Sequence, residues 1–374
     1  VAAPNKFKGL SPGVVVTMTK QTYGVKYIGS KNSLVGEILS VIETQLESPT
    51  TLRCIDVFTG TTRVAQAFRS NGWNVQSSDL SWASEAYAHA FLLRTATSGS
   101  RIPALLNTLQ DLSGTADWLT NTYCDVSGVE GIKRVRMWKP ANGAKADAIR
   151  NKIATWELSG FINHHEAMIL TCCLIFALDK VDSSTGVQQA YLKDWAARAS
   201  NPLTLEDIPF PVGIPGKHTV GDCLQVSYSE ADVAYLDPPY SAHSYSTYYH
   251  IWDSITRWDK PSVHLTTNRR ADRVVSSTEY DESMKSAWNS KSTALDAFIT
   301  LCSRLPVKYV LISYNNESLI PLKLLIDTLR DKFGNVLVRE IAYKRNIMSQ
   351  IGNASLYNDE FKTDNTEVLL WVKR

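Results

Sequence analysis

Between Leu52 and Leu80 the chain reads "LRCIDVF", "TGTT", "RVAQAFRSNG" and "WNVQSSDL": an apolar strand-like run, a glycine turn, a helical segment, and a second strand that ends in an acid. Val64, Ala67 and Phe68 repeat at helical spacing, and Gly72 suits the residue that closes a helix. That order is the opening half of a doubly wound α/β sheet. Gly60 permits a tight turn, so backbone amides there can approach a ligand at the partly positive start of the helix. Asp79, 19 positions beyond Gly60, ends the next strand, where an acid of this fold accepts hydrogen bonds from ribose hydroxyls. Thr62 stands where a dinucleotide fingerprint would carry another glycine, which argues against NAD.

Upstream, Leu34, Ile38, Val41, Ile42 and Leu46 fall on one face of a helix that Pro49 stops. From Ser98 to Lys217 the pattern changes to mixed helical segments, the loops "ANGAK" and "DSSTG", and a Pro/Gly-rich exit, which reads as an inserted, mostly helical lobe. Its most apolar stretch, Ala167 to Leu178, falls short of the roughly 20 residues that span a bilayer and is expected to be a buried helix. The sheet resumes with "VAYLDPPY", "KYVLISY", "VLVREIAY" and "TEVLLWV". The last two are predicted to pair antiparallel across the polar loop from Lys344 to Asn365. The expected organisation is therefore a flexible extension over 1–17, a first half of the sheet domain over 18–97, the inserted lobe over 98–217 and a second half over 218–374. A chain of 374 residues exceeds the usual single domain, in keeping with a core plus a lobe. Six cysteines without C-x-x-C spacing point to a reducing compartment, and with no signal-peptide pattern the cytoplasm is expected.

The apolar run Val233 to Leu236 ends in Asp237-Pro238-Pro239-Tyr240, where a carboxylate is costly and two residues lack a backbone donor. Taken with "KYIGSKNSL" (Lys26 to Leu34), "DVFTGTT", "SSDL" and "GDC" (Gly221 to Cys223), this tetrapeptide completes five motifs in order. In that order the chain resembles the Dam-like, α-group N6-adenine DNA methyltransferases, from about Lys26 to its C-terminus outside the inserted lobe. The resemblance implies a Rossmann-like methyltransferase sheet with an antiparallel C-terminal strand pair, S-adenosyl-L-methionine as cofactor, and a target-recognition role for the lobe. It implies that Tyr27, Gly29, Ser30 and Lys31 close over the cofactor, whose methionine end lies against Asp56, Phe58, Gly60 and Thr61. Asp79 would hold the ribose, and Asp222 with Cys223 would flank the adenine. The family commonly has Gly-Gly-Lys where this chain has Gly29-Ser30-Lys31, and a second glycine where it has Thr62.

The tetrapeptide then acquires a chemical reason. The amino group of adenine is a poor nucleophile because its lone pair is delocalised into the ring. Asp237 and the carbonyl of Pro238 can accept hydrogen bonds from both N–H groups, while prolines fix φ near about −65° and so hold the carbonyl's direction. Tyr240 offers a face on which an extruded base can stack. Transfer would be a direct displacement, and no cysteine follows a proline as the nucleophile of cytosine-C5 methyltransferases does.

Downstream, Tyr245, Tyr248, Tyr249 and His250 are candidates either for supporting a flipped base or for the core. Lys133, Arg134, Arg136, Lys139, Lys145, Arg150 and Lys152 surround the single acid Asp147, a local positive charge expected to meet phosphates although the net charge is only +2. Arg269, Arg270 and Arg273 form a second basic group. His164-His165-Glu166 invites a metal reading, but adjacent histidines point in different directions on a helix and no third ligand stands at matching spacing, so no metal is expected. The expected partner is double-stranded DNA, with a cognate restriction endonuclease left open, no membrane, and a monomer. An RNA adenine or N4-cytosine methyltransferase, and a catalytically silent nucleic-acid-binding module, are the alternatives. The intact Asp237 to Tyr240 speaks against the last, and Ser commonly replaces the Asp in N4-cytosine enzymes.

Overall fold

The computed structural model describes residues 21–344 and 364–374, save 48, 126–136, 189–191, 193, 242–244, 265 and 283–284. The extension over 1–17, the residues Lys133, Arg134 and Arg136, and most of the loop between Lys344 and Asn365 lie outside the described residues.

Among the described residues seven strands form one sheet: β1 Arg53–Asp56, β2 Asn74–Asp79, β3 Lys217–Val220, β4 Ala231–Leu236, β5 Val307–Asn315, β6 Val336–Lys344 and β7 Asp364–Lys373. Their order is β3-β2-β1-β4-β5-β7-β6. The first five run parallel, and β7 enters antiparallel between β5 and β6. Between β1 and β4 the winding reverses, and in open sheets of this kind ligands bind beyond the carboxyl ends of the strands at that point. Asp56 ends β1 and Asp237 follows β4, so two acids stand at this crevice.

Alternation along the strands explains why they read as unbroken apolar runs. Cys54, Val233, Tyr235 and Leu311 face one core, whereas Ile55, Ala234, Leu236, Val310 and Ile312 face the other. A sheet buried on both faces needs apolar residues at every position. The first core is covered by the helices Val35–Gln45, Arg63–Ser70, Ala83–Ala88 and His250–Arg257, and by Pro140–Leu158 and His164–Lys180 from the 98–217 segment. The second is covered by Ala294–Arg304 and Leu322–Phe333.

The apolar run from Ala167 to Leu178 lies in the helix His164–Lys180, which Asn163 and Glu166 start with reciprocal hydrogen bonds of 2.9 and 3.1 Å. Among the described residues no helix is long and apolar enough to cross a membrane. All six cysteines are free and buried.

Two local expectations need correction. "ANGAK" is not a loop but the first turns of the helix Pro140–Leu158. Asn142 bonds the backbone of Leu203 and Asn201, and a Cβ on Gly143 would fall 2.2 Å from Cys124 Sγ, so tertiary contacts select residues that in isolation favour a turn. β3 was hidden in the Pro/Gly-rich exit because an edge strand of "KHTV", none of it fully buried, carries no apolar signature.

Candidate active site at the ends of β1 and β4

One cavity beyond the carboxyl ends of the strands is lined by Tyr27, Gly29, Ser30, Lys31, Asp56, Phe58, Gly60, Thr61, Asp79, Asp222, Cys223, Asp237, Pro238, Pro239, Tyr240 and Tyr245. Residues scattered over more than 200 positions of sequence thus meet at the point where the winding reverses.

The turn after β1 is organised by its own acid. Asp56 Oδ2 accepts from Thr59 Oγ1 at 2.8 Å and from the Ala65 amide at 3.1 Å, which fixes both the turn and the start of the helix. Its other oxygen is buried without a hydrogen bond, and burial pushes the carboxyl up to about 7. Gly60 has φ 49°, and a Cβ there would press on the Tyr27 ring at 3.4 Å. Thr62 also adopts a left-handed conformation, with φ 63°, a region that favours glycine. The strain is of order 1–2 kcal/mol. It is opposed by the Thr62 amide, which donates to Thr59 O at 2.6 Å, and by its hydroxyl, which accepts from Gln66 Nε2 at 3.1 Å.

The Gly60 amide donates to Asp79 Oδ2 at 2.8 Å, joining the turn to the end of β2, and Ser81 N donates to Oδ1 at 2.8 Å. Burial raises Asp79 to about 6 despite those amides. Asp222 Oδ1 accepts from Leu224 N at 3.0 Å and so shapes the turn that carries the buried Cys223. Phe58 meets Trp288 edge to face at 4.9 Å. Trp288 lines the same cavity, and as a lone tryptophan in the polar stretch "KSAWNS" it gave the sequence reading nothing to seize on.

The tetrapeptide sits in a buried charge cluster. Lys31 Nζ lies 3.1 Å from Asp237 Oδ1 and 3.2 Å from Glu367 Oε1, and 4.7 Å above the Tyr240 ring. The Tyr240 hydroxyl is 2.7 Å from Asp237 Oδ1, 2.9 Å from Glu367 Oε1 and 3.1 Å from Ser313 Oγ. Its one proton can serve only one carboxylate at a time. Burial pushes Asp237 up to about 6, with Lys31 opposing and Glu367 adding to the rise. Burial would lower Lys31, but Asp237 and Glu367 together raise it, so it stays charged. Glu367 and Ser313 escaped the sequence reading: Glu367 is one acid ahead of the apolar run of β7, and only the pairing of distant strands brings it here.

The residues proposed for DNA divide. Tyr245 lines the cavity and stacks at 5.6 Å on Tyr27, which in turn stacks at 4.4 Å on Tyr249. Tyr248 is half-buried beside Tyr245, 6.3 Å away. Tyr249, whose hydroxyl accepts from Ile28 N at 2.6 Å, and His250 are buried core. Lys139 is away from the cavity and donates to Ser200 Oγ at 2.8 Å. Lys145 donates to the carbonyls of Gln110 and Leu112, and buried Arg150 to those of Ile255 and Thr256. These two serve backbone rather than an open basic face. Arg270 and Arg273 are likewise buried, Arg270 between Asp259 and Asp272 at 2.8 and 2.9 Å.

A glycine turn after β1, an acid after β2 and Asp-Pro-Pro-Tyr after β4, joined in one cavity of a sheet with an antiparallel β7, define a Rossmann-like methyltransferase. The profile described as D12 class N6 adenine-specific DNA methyltransferase matches residues 27–305, and the chain belongs to that family. It is 29% identical over 327 residues to the type II methyltransferase M.NlaIII of Neisseria lactamica, covering 86% of this chain and 92% of that one. It is 27% identical over 332 residues to the modification methylase StsI of Streptococcus sanguinis, covering 86% of this chain but 48% of that protein, so it spans about half of the longer relative. A solved Thermoplasma acidophilum structure aligns over 92% of this chain and 89% of its own at 9% identity and a TM-score of 0.33, and the fold assignment rests on the strand order instead.

Proposed function

We propose that the protein transfers a methyl group from S-adenosyl-L-methionine to the N6 amino group of an adenine flipped out of double-stranded DNA. The observation that carries this reading is the state of Asp237. Lys31 and Tyr240 both engage Oδ1, and among the described residues no hydrogen bond reaches Oδ2, which leaves that oxygen to accept one from an incoming amino group.

The residues fit the cofactor. Asp79 offers a carboxylate held by two amides for a ribose diol, and Phe58, Cys223 and Trp288 offer apolar surface for a purine. Gly60 and Thr61 bring the backbone of the turn to the cavity wall, where a Cβ on Gly60 would touch the Tyr27 ring at 3.4 Å, and Asp56 with its unsatisfied oxygen lines the same cavity. When bound, the cofactor supplies a methyl group on a positively charged sulfur. The chain does the rest. Asp237 and the Pro238 carbonyl accept from the two N6 hydrogens and make the lone pair available. Lys31 holds Asp237 in place, and the face of Tyr240 opposite Lys31 is the one for a stacked base. Tyr27 and Tyr245 wall the cavity near Gly29. The type II and modification labels of the relatives support action at a defined duplex sequence, and Lys133, Arg134 and Arg136 are kept as candidate phosphate contacts.

Asp237→Ala is expected to remove transfer of labelled methyl groups to duplex DNA by more than a hundredfold, while calorimetry still detects cofactor binding. Near-normal turnover in that variant would contradict the role of Asp237.

A further inference from the structure

A set of metal-ligand side chains lies apart from the catalytic cavity, where the helix that follows β2 meets the start of the helix His164–Lys180. Glu85 and His89 stand four positions apart and so share a helical face. At His89 the α-helix Ala83–Ala88 passes into five residues of the wider i→i+5 pattern, an irregularity frequent at functional sites. One ligand atom each of Glu85, His89 and His164 lies within 4.8 Å of the other two. This supplies the third ligand that sequence spacing did not reveal, because it comes from another helix.

The surroundings are those that a metal-binding imidazole uses. His164 Nε2 is 3.2 Å from Glu85 Oε1, and its Nδ1 is 2.7 Å from Glu157 Oε1. A ligating histidine commonly donates its second N–H to a carboxylate, which fixes ring and tautomer, and Glu157 is placed to accept it. His89 Nδ1 is 2.8 Å from His165 Nδ1, whose ring continues to Ser98 Oγ at 3.0 Å, so the second imidazole is oriented too. Tetrahedral ligands at about 2.0–2.1 Å from zinc stand roughly 3.3 Å apart. The His164–Glu85 pair already has that separation, and small side-chain rotations close the rest.

We propose that Glu85, His89 and His164 bind one divalent transition-metal ion of the zinc type, with Glu157 and His165 as orienting partners and water in the remaining position. Imidazole and carboxylate together suit such an ion. The ion would clip the helix after β2 to the helix His164–Lys180, joining the cofactor side of the fold to the 98–217 segment independently of the methyl-transfer reading.

The test uses the full chain without a purification tag, stripped with a chelator and titrated with zinc alone. One zinc per chain is expected, with a raised melting temperature and, on cobalt substitution, the absorption bands of a four-coordinate site. His164→Gln and Glu85→Gln should each weaken zinc binding at least tenfold, and Glu157→Gln should weaken it about 10–100-fold. Circular dichroism shows whether each variant is folded, and His164 is 52% exposed, so its replacement spares the core. Absence of stoichiometric zinc uptake by the wild type at micromolar concentration would overturn the proposal, leaving a hydrogen-bonded cluster. Undiminished uptake by His164→Gln and Glu85→Gln would overturn it equally, since the metal would then sit elsewhere.

Discussion

Lys31 stands between two buried carboxylates, and its position decides how Asp237 behaves. Asp237 titrates near 6 because burial raises it, Lys31 holds it down and Glu367 pushes it up. With Oδ1 engaged by Lys31 and Tyr240, a proton on Asp237 would occupy Oδ2, the oxygen that accepts from the substrate, so transfer should decline as pH falls through about 6. Glu367→Gln removes the like charge, which lowers the Asp237 pKa and moves that decline to lower pH. A pH profile of single-turnover transfer by wild type and variant checks the sign, and an unshifted acid limb would show that Glu367 does not act on Asp237. Asp237 was legible because four apolar residues before it make its position costly. Glu367 was not, because Lys31 lies more than 300 positions away and only the pairing of β7 with β5 carries Glu367 to the site.

At the scale of elements, strands buried on both faces were legible and elements set by local polarity were not. β1, β4 and β5 announce themselves as apolar runs, whereas β3 has neither run nor alternation of apolar residues. The helix Pro140–Leu158 hides behind Asn142 and Gly143, whose sequence preference is for a turn and whose contacts are with Leu203, Asn201 and Cys124. Gly143→Ala should therefore destabilise the protein by about 1–3 kcal/mol, the usual cost of overpacking, although alanine is the better helix former by about 1 kcal/mol. Urea denaturation measures this. A gain in stability would show that the helix has room to shift. The same contact logic applies to two members of the basic run: a sequence shows that Lys145 and Arg150 are charged but not that carbonyls of neighbouring segments already hold them, while Lys133, Arg134 and Arg136 lie outside the described residues.

At the scale of the whole molecule, the winding of the sheet gathers three raised carboxylates, Asp56 near 7 and Asp79 and Asp237 near 6, around one cavity. Their folded values lie above the ordinary one, so ionising them weakens the ligand-free fold, and that cost is present above about 7 and relieved as pH falls below about 6. A cationic ligand in the cavity favours the ionised forms and expels their protons. Cofactor affinity should thus rise between pH 5.5 and 7.5, with proton release that calorimetry in two buffers of different ionisation heat detects. Affinity that is flat with pH would mean that the carboxylates do not sense the cofactor's charge.

Methyl transfer to adenine N6 can be read from its product. Duplex DNA incubated with the protein and S-adenosyl-L-methionine bearing an isotopically labelled methyl group, then digested to nucleosides and analysed by mass spectrometry, should yield labelled N6-methyldeoxyadenosine, and Asp237→Ala should yield none. Label on cytosine N4, or label found only when RNA replaces DNA, would contradict the account.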